Sequence, residues 1–209
     1  MSNLLDLIQS QLDDNLVGQL SNQLGVNDRQ QASTAVNGVV STLVSALAKN
    51  AATPERAAGL YNAIERDHDG SILDNLQDYL TGNLQPKPEQ QRALNGQGIL
   101  KHLLGDKQND AASMLSQQTG LDSSKVMDLM SRMAPVVMGL LGKQKREQGL
   151  DMGGLAGLLT NTVSQQKSSG NSFIDMATSF LDKDGDGSAL DDVAGMVGKG
   201  LFSRLFGRK

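Results

Sequence analysis

The sequence predicts an all-α protein, and three observations support this fold class. Apolar residues recur at helical spacing along most of the 209-residue chain. Helix-start signals recur as well, as where Thr53 precedes Pro54 and Glu55. The alternating patterns and β-branched runs that mark strands are absent from the sequence. We therefore expect a helical bundle.

The composition limits both the core and the chemistry. Hydrophobic residues make up 38% of the chain but aromatic residues only 3%, so the core must consist of Leu, Val, Met and Ala. The absence of cysteine excludes disulfides, Cys-type zinc sites and thiol nucleophiles. The two histidines, His68 and His102, are too few for a His-rich metal site. A net charge of −4 argues against bulk electrostatic binding to nucleic acid.

The first long helix is predicted over residues 27–50. Its apolar stripe consists of Ala32, Val36, Val39, Val40, Leu43, Val44 and Leu47. We expect Asn27 to cap its start and Asn50 to take the left-handed conformation that commonly ends a helix. A second helix should begin at Pro54, followed by an acidic turn over residues 67–71 and another short helix.

The same plan recurs later in the chain. Residues 20–27 align without a gap with residues 115–122, and the acidic stretch 67–76 aligns with residues 184–193. The apolar positions between these stretches also align after a one-residue slip. We interpret the matches, which occur in the same order, as a tandem duplication. Each repeat would end in a helix, an acidic loop and a second helix.

The duplication divides the chain at a proline-containing linker. Two prolines within three residues resist helix formation, which places the linker at residues 86–97. The first repeat is then residues 1–85 and the second residues 98–209, with an insertion near residues 143–170. The sequence leaves open whether the repeats form separate domains or one fused bundle.

A helix near residues 126–141 is apolar around nearly its whole circumference. Such a helix is normally central in a bundle, covered on several sides. Pro135 should bend it or displace a hydrogen bond. Its methionines also suit an adaptable groove for a partner, so both interpretations stay open.

The acidic loop at residues 182–192 carries a candidate metal site. Alternating carboxylates followed by glycine resemble the opening of an EF-hand calcium loop, because every second side chain of an extended loop can face one ion. The EF-hand glutamate at the twelfth loop position would fall on Val193, so the loop must be a shortened variant. The predicted Ca²⁺ ligands are Asp182, Asp184, Asp186, Ser188, Asp191 and Asp192. The alternative is an acidic turn in which Asp184 or Asp186 caps the next helix.

The first repeat has a second, weaker candidate site for Ca²⁺. Its ligands would be Glu65, Asp67, Asp69, Ser71 and Asp74. Glu65 gives this site a poorer first ligand, since glutamate replaces the first aspartate with a longer side chain. His68 alternates out of the carboxylate set and is not expected to bind metal.

Several motifs in order resemble the bacterial DUF937 family. They are residues 50–55 (NAATPE), 98–105 (GILKHLLG), 133–142 (MAPVVMGLLG) and 184–192 (DGDGSALDD). The resemblance covers nearly the whole chain. It implies a bacterial origin and a helical fold, but the family has no assigned function and supplies no catalytic residue.

These features favour a binding protein over an enzyme. Neither a phosphate-binding loop nor a nucleophile elbow occurs in the sequence. We expect a non-enzymatic calcium-binding scaffold or interaction protein with an unidentified protein partner or self-association, calcium acting structurally. Residues 1–14 lack the pattern of a secretory signal, so we expect a cytoplasmic location.

The basic C-terminal tail suggests an alternative function. Residues 199–209 contain four cations, two Phe and two Leu, with the apolar side chains on one helical face. This pattern suits an anionic membrane surface, or less well a nucleic acid. The same four apolar side chains could instead pack on the bundle.

Overall fold

The computed structural model describes residues 4–12 and 14–182, and within these ranges all regular structure is helical. The α-helices are α1 (Leu4–Gln11), α2 (Asp14–Gln23), α3 (Arg29–Asn50), α4 (Pro54–Asp67), α5 (Leu76–Leu80), α6 (Gly96–Leu104), α7 (Gln108–Thr119), α8 (Ser123–Gln148), α9 (Met152–Ser168) and α10 (Ser172–Leu181). Short 3₁₀ turns are Ser71–Asn75, Pro88–Gln90 and Gly105–Lys107. The all-α prediction is confirmed, and the division into two repeats stays a prediction.

Helices α3 and α8 form the centre of the bundle. They pack against each other; α3 also contacts α2, α7, α9 and α10, while α8 contacts α1, α4, α6 and α7. Every residue of α8 from Met133 to Gly142 is buried, which confirms the prediction of a central helix. Pro135 is buried within α8 and does not end it.

The core consists of aliphatic and methionine side chains, as the composition predicts. Residues on both sides of the predicted linker contribute to one buried cluster, for example Leu43 and Leu47 with Met130 and Met133, all fully buried. Helix α6 begins at Gly96, inside the predicted linker, after capping by Asn95. Among the described helices, none is long and apolar enough to cross a bilayer.

The start of α3 lies one residue later than the expected cap. Asp28, not Asn27, is the N-cap: its carboxylate accepts hydrogen bonds from the backbone N–H of Gln30 at 2.8 Å and of Gln31 at 3.2 Å. A carboxylate here also faces the positive end of the helix dipole, which favours Asp over the neutral Asn.

The end of α3 also differs from the expectation. Asn50 is the last helical residue and has no left-handed backbone, and the cap falls on Ala51. The Asn50 amide donates to the carbonyl of Ala46 at 2.8 Å and to that of Leu103 at 3.1 Å. The second bond joins the end of α3 to α6, a tertiary role that overrides the local preference of asparagine.

Two glycines let backbones approach α8 closely. A Cβ at Gly142 would collide with the carbonyl oxygen of His68, and a Cβ at Gly96 would collide with that of Ser131. The acidic turn after α4 and the start of α6 therefore lie directly on α8. Any side chain at either glycine must push two backbones apart.

We expect Gly142→Ala to lower the free energy of unfolding by about 1–3 kcal/mol, because the added methyl overpacks a backbone contact. Gly157→Ala in α9 is the matched control, since a Cβ there meets nothing within 4 Å. That control should raise the free energy of unfolding by about 0.5–1 kcal/mol. Urea unfolding measures both, and equal effects would contradict the close approach.

Candidate functional site

The acidic turn between α4 and the first 3₁₀ turn has a defined backbone. Gly70 adopts a left-handed conformation with φ 93°. The Asp69 carboxylate accepts a hydrogen bond from the backbone N–H of Ser71 at 2.9 Å. A Cβ at Gly70 would lie 3.2 Å from the carbonyl oxygen of Gly139 and 3.1 Å from the Lys143 side chain. The glycine therefore permits both the turn and its contact with α8.

The carboxylates of this turn have separate partners. The Lys145 ammonium of α8 donates to Glu65 at 2.5 Å, and the Arg66 guanidinium donates to Asp67 at 2.6 and 2.9 Å. Ser71 and Asp74, the other predicted ligands of the first loop, are exposed. In residues 4–12 and 14–182 no group of three or more His, Cys, Asp or Glu side chains is arranged to hold a metal ion. The turn thus does not bring its predicted ligands together.

These partners also hold the carboxylates in their charged form. The hydrogen bond from Lys145 lowers the pKa of Glu65, and the hydrogen bond from Arg66 lowers the pKa of Asp67. The pKa of Asp69 is lowered chiefly by the backbone N–H of Ser71. A cation that bound here would have to displace or share these existing contacts.

The second predicted loop begins where the described residues end. Helix α10 ends at Leu181, and Asp182 is its exposed C-cap. Asp184, Asp186, Ser188, Asp191 and Asp192 lie outside the described residues, as does the basic tail at 199–209.

Sequence reasoning missed the two cations at the end of α10. The carbonyl of Leu181 accepts from the Lys49 ammonium at 2.6 Å and from the Lys107 ammonium at 3.3 Å. Two positive charges stabilise the negative end of the helix dipole.

Sequence reasoning also missed a cavity of about 610 Å³ between α4 and α6. Its lining comes from the end of α3, from α4, from α6 and the segment before it, and from α8. Both histidines and three arginines line it. A second hollow of about 420 Å³ shares Arg56 and His102 with it and extends to Leu181.

His68 is the most buried polar residue of this cavity, with only 7% of its surface exposed. Its backbone N–H donates to the carbonyl of Ile64 at 3.1 Å. Its ring has no hydrogen bond to any described residue. Burial lowers the pKa of His68, so the ring is neutral at neutral pH.

The pKa of His68 is lower in the folded state than in the unfolded state. The unfolded state therefore binds more protons than the folded state as the pH falls below about 6.5. We therefore expect the free energy of unfolding to decrease below that pH. His68→Gln should reduce this decrease, and His102→Gln, at an exposed position of the same cavity, is the matched control. Urea unfolding at a series of pH values above and below about 6.5 measures the free energy of unfolding. Identical pH profiles for wild type and His68→Gln would contradict the prediction.

Comparison with known proteins identifies a family. A family model described as "Bacterial protein of unknown function (DUF937)" matches residues 6–144, more than half of the chain. The matched range contains the acidic turn on α8 and the helices around the cavity, and it ends before α9. No curated protein and no solved structure matches the chain.

Proposed function

The chain belongs to the bacterial DUF937 family, whose function is unknown, and we propose that it is a non-enzymatic calcium-binding scaffold or interaction protein. The observation that carries this proposal is the loop at 182–192, whose alternating carboxylates begin at the exposed end of a helix. Oxygen ligands without nitrogen or sulfur suit Ca²⁺ best among common cations.

The turn at residues 67–71 supports the local geometry of this proposal. It shares the D-x-D-G-S pattern with residues 184–188. In the turn, glycine takes the left-handed backbone that a loop needs to wrap an ion, with the second aspartate bonded to the backbone N–H two residues later. The same residue types in the second loop favour the same turn.

In the first loop, two of the carboxylates already have cationic partners. Glu65 and Asp67 pair with Lys145 and Arg66, so Ca²⁺ must compete for the first loop. We therefore assign the tighter binding step to residues 182–192 and weak binding to the first loop. Calcium would neutralise the crowded aspartates and fix the angle between flanking helices, giving a rigid surface for a protein partner or a second copy.

We expect Asp184→Asn with Asp186→Asn to abolish the tighter calcium step in titration calorimetry. The matched control is Asp67→Asn with Asp69→Asn, which should leave that step in place. Wild-type protein at a calcium concentration of 100 Kd should gain about 2.7 kcal/mol of stability, seen as a higher melting temperature. No melting shift at millimolar calcium, or an unchanged step in the 184/186 variant, would overturn the proposal.

The alternative function, at an anionic membrane surface, rests on the tail at 199–209. If Leu201, Phe202, Leu205 and Phe206 pack on the bundle instead, each buried side chain contributes about 1.5–3 kcal/mol of stability.

We expect deletion of residues 201–209 to lower the melting temperature, and the intact protein to bind anionic vesicles at most weakly. Vesicle sedimentation at low and high salt, beside thermal unfolding, measures both. Strong, salt-sensitive vesicle binding with unchanged melting of the deletion variant would favour the membrane function.

A further inference from the structure

The cavity between α4 and α6 is not used by the calcium proposal. Its volume of about 610 Å³ is within the range of small-molecule sites, roughly 300–1,000 Å³. Leu60, Ile99, Leu103 and Met138 give it an apolar surface. Such a surface suits the apolar part of a small organic ligand.

Positive charge dominates the polar part of the lining. Three arginines, Arg56, Arg66 and Arg92, face two acids, Glu55 and Asp67, in a chain whose net charge is −4. The Arg66 guanidinium already donates two hydrogen bonds to the Asp67 carboxylate. The side chains of Arg56 and Arg92 are exposed and make no hydrogen bond or ion pair with a described residue, and the charge of Arg92 also acts on Asp67 at longer range. Their guanidinium donors are thus available to an anion, and the planar group matches a carboxylate.

A buried polar ring in the same cavity also lacks a partner. His68 lines the cavity with only 7% of its surface exposed, and its imidazole has no hydrogen bond to a described residue. Its ring nitrogens are not among the fully buried side-chain atoms without a partner, so they are accessible from the cavity. A polar atom of a ligand or a water in the cavity would supply the hydrogen-bond partner that buried polar side chains nearly always have.

We propose that this cavity binds a small organic carboxylic acid with an apolar chain or ring. The carboxylate pairs with the guanidinium groups of Arg56 and Arg92 at the rim. The apolar part lies on Leu60, Ile99 and Met138, and a polar atom of the ligand or a bound water satisfies the His68 ring.

The test compares octanoate with 1-octanol in titration calorimetry on the full-length protein without calcium. The two probes share an apolar chain and differ in charge, so we expect octanoate to bind about tenfold more tightly. Arg56→Gln and Arg92→Gln should each remove most of this preference and leave octanol binding unchanged. Lys101→Gln is the matched control, because this exposed α6 residue is not among the lining residues and loses the same charge.

A second variant tests the location independently of charge. Gly59 lines the cavity, and a Cβ there meets nothing within 4 Å, so Gly59→Leu should fill the space without disturbing α4. It should abolish binding of both probes without lowering the melting temperature. Gly157→Leu, the same change on α9 and also in open space, should leave binding intact.

Three results would overturn the proposal: no octanoate binding at millimolar concentration, equal affinity for octanoate and octanol, or wild-type binding by Gly59→Leu. The proposal would also be overturned if Lys101→Gln lost as much of the preference for octanoate over octanol as the arginine variants do. The preference would then reflect the net charge of the protein and not the site.

Discussion

The contact between α3 and α8 is the constraint on which the rest of the described fold depends. Both helices bury residues around most of their circumference, so each must be covered on several sides by other helices. With aromatic residues at 3% of the chain, large side chains cannot fill wide gaps between helices. The covering elements must instead approach closely, which Gly96 and Gly142 allow.

The close approach at Gly142 also determines the chemistry of the acidic turn. This contact places the backbone carbonyl of His68 against α8 and buries the His68 side chain. It also brings Glu65 to Lys145, whose ammonium lies 4.4 Å from the centre of the Tyr61 ring. Lys145 of α8 therefore pairs with Glu65, while Asp67 pairs with Arg66 of α4, so the protein itself supplies cationic partners to these two carboxylates.

Sequence periodicity predicted what depends on local pattern and missed what depends on distant partners. The helical class and the central position of α8 follow from apolar spacing alone. The left-handed backbone predicted for Asn50 is wrong, because the side-chain amide of Asn50 donates a hydrogen bond to Leu103, which is 53 positions away in the sequence. The pairing of Glu65 with Lys145 spans 80 positions. The cavity joins segments from Asn50 to Met138, and the family motifs within those segments do not by themselves indicate that the segments enclose a cavity.

Positive charge beside the end of α10 bears on how tightly a calcium ion could bind there. Lys49 and Lys107 both donate to the carbonyl of Leu181, one residue before the first predicted calcium ligand. Like charges a few ångströms apart still interact near a protein surface, so two ammonium groups beside the start of the loop would repel a divalent cation there. Under the calcium proposal, the affinity of this loop would then be lower than its carboxylate count suggests. It should also weaken less steeply with added salt, because salt screens the repulsion from the lysines as well as the attraction of the aspartates.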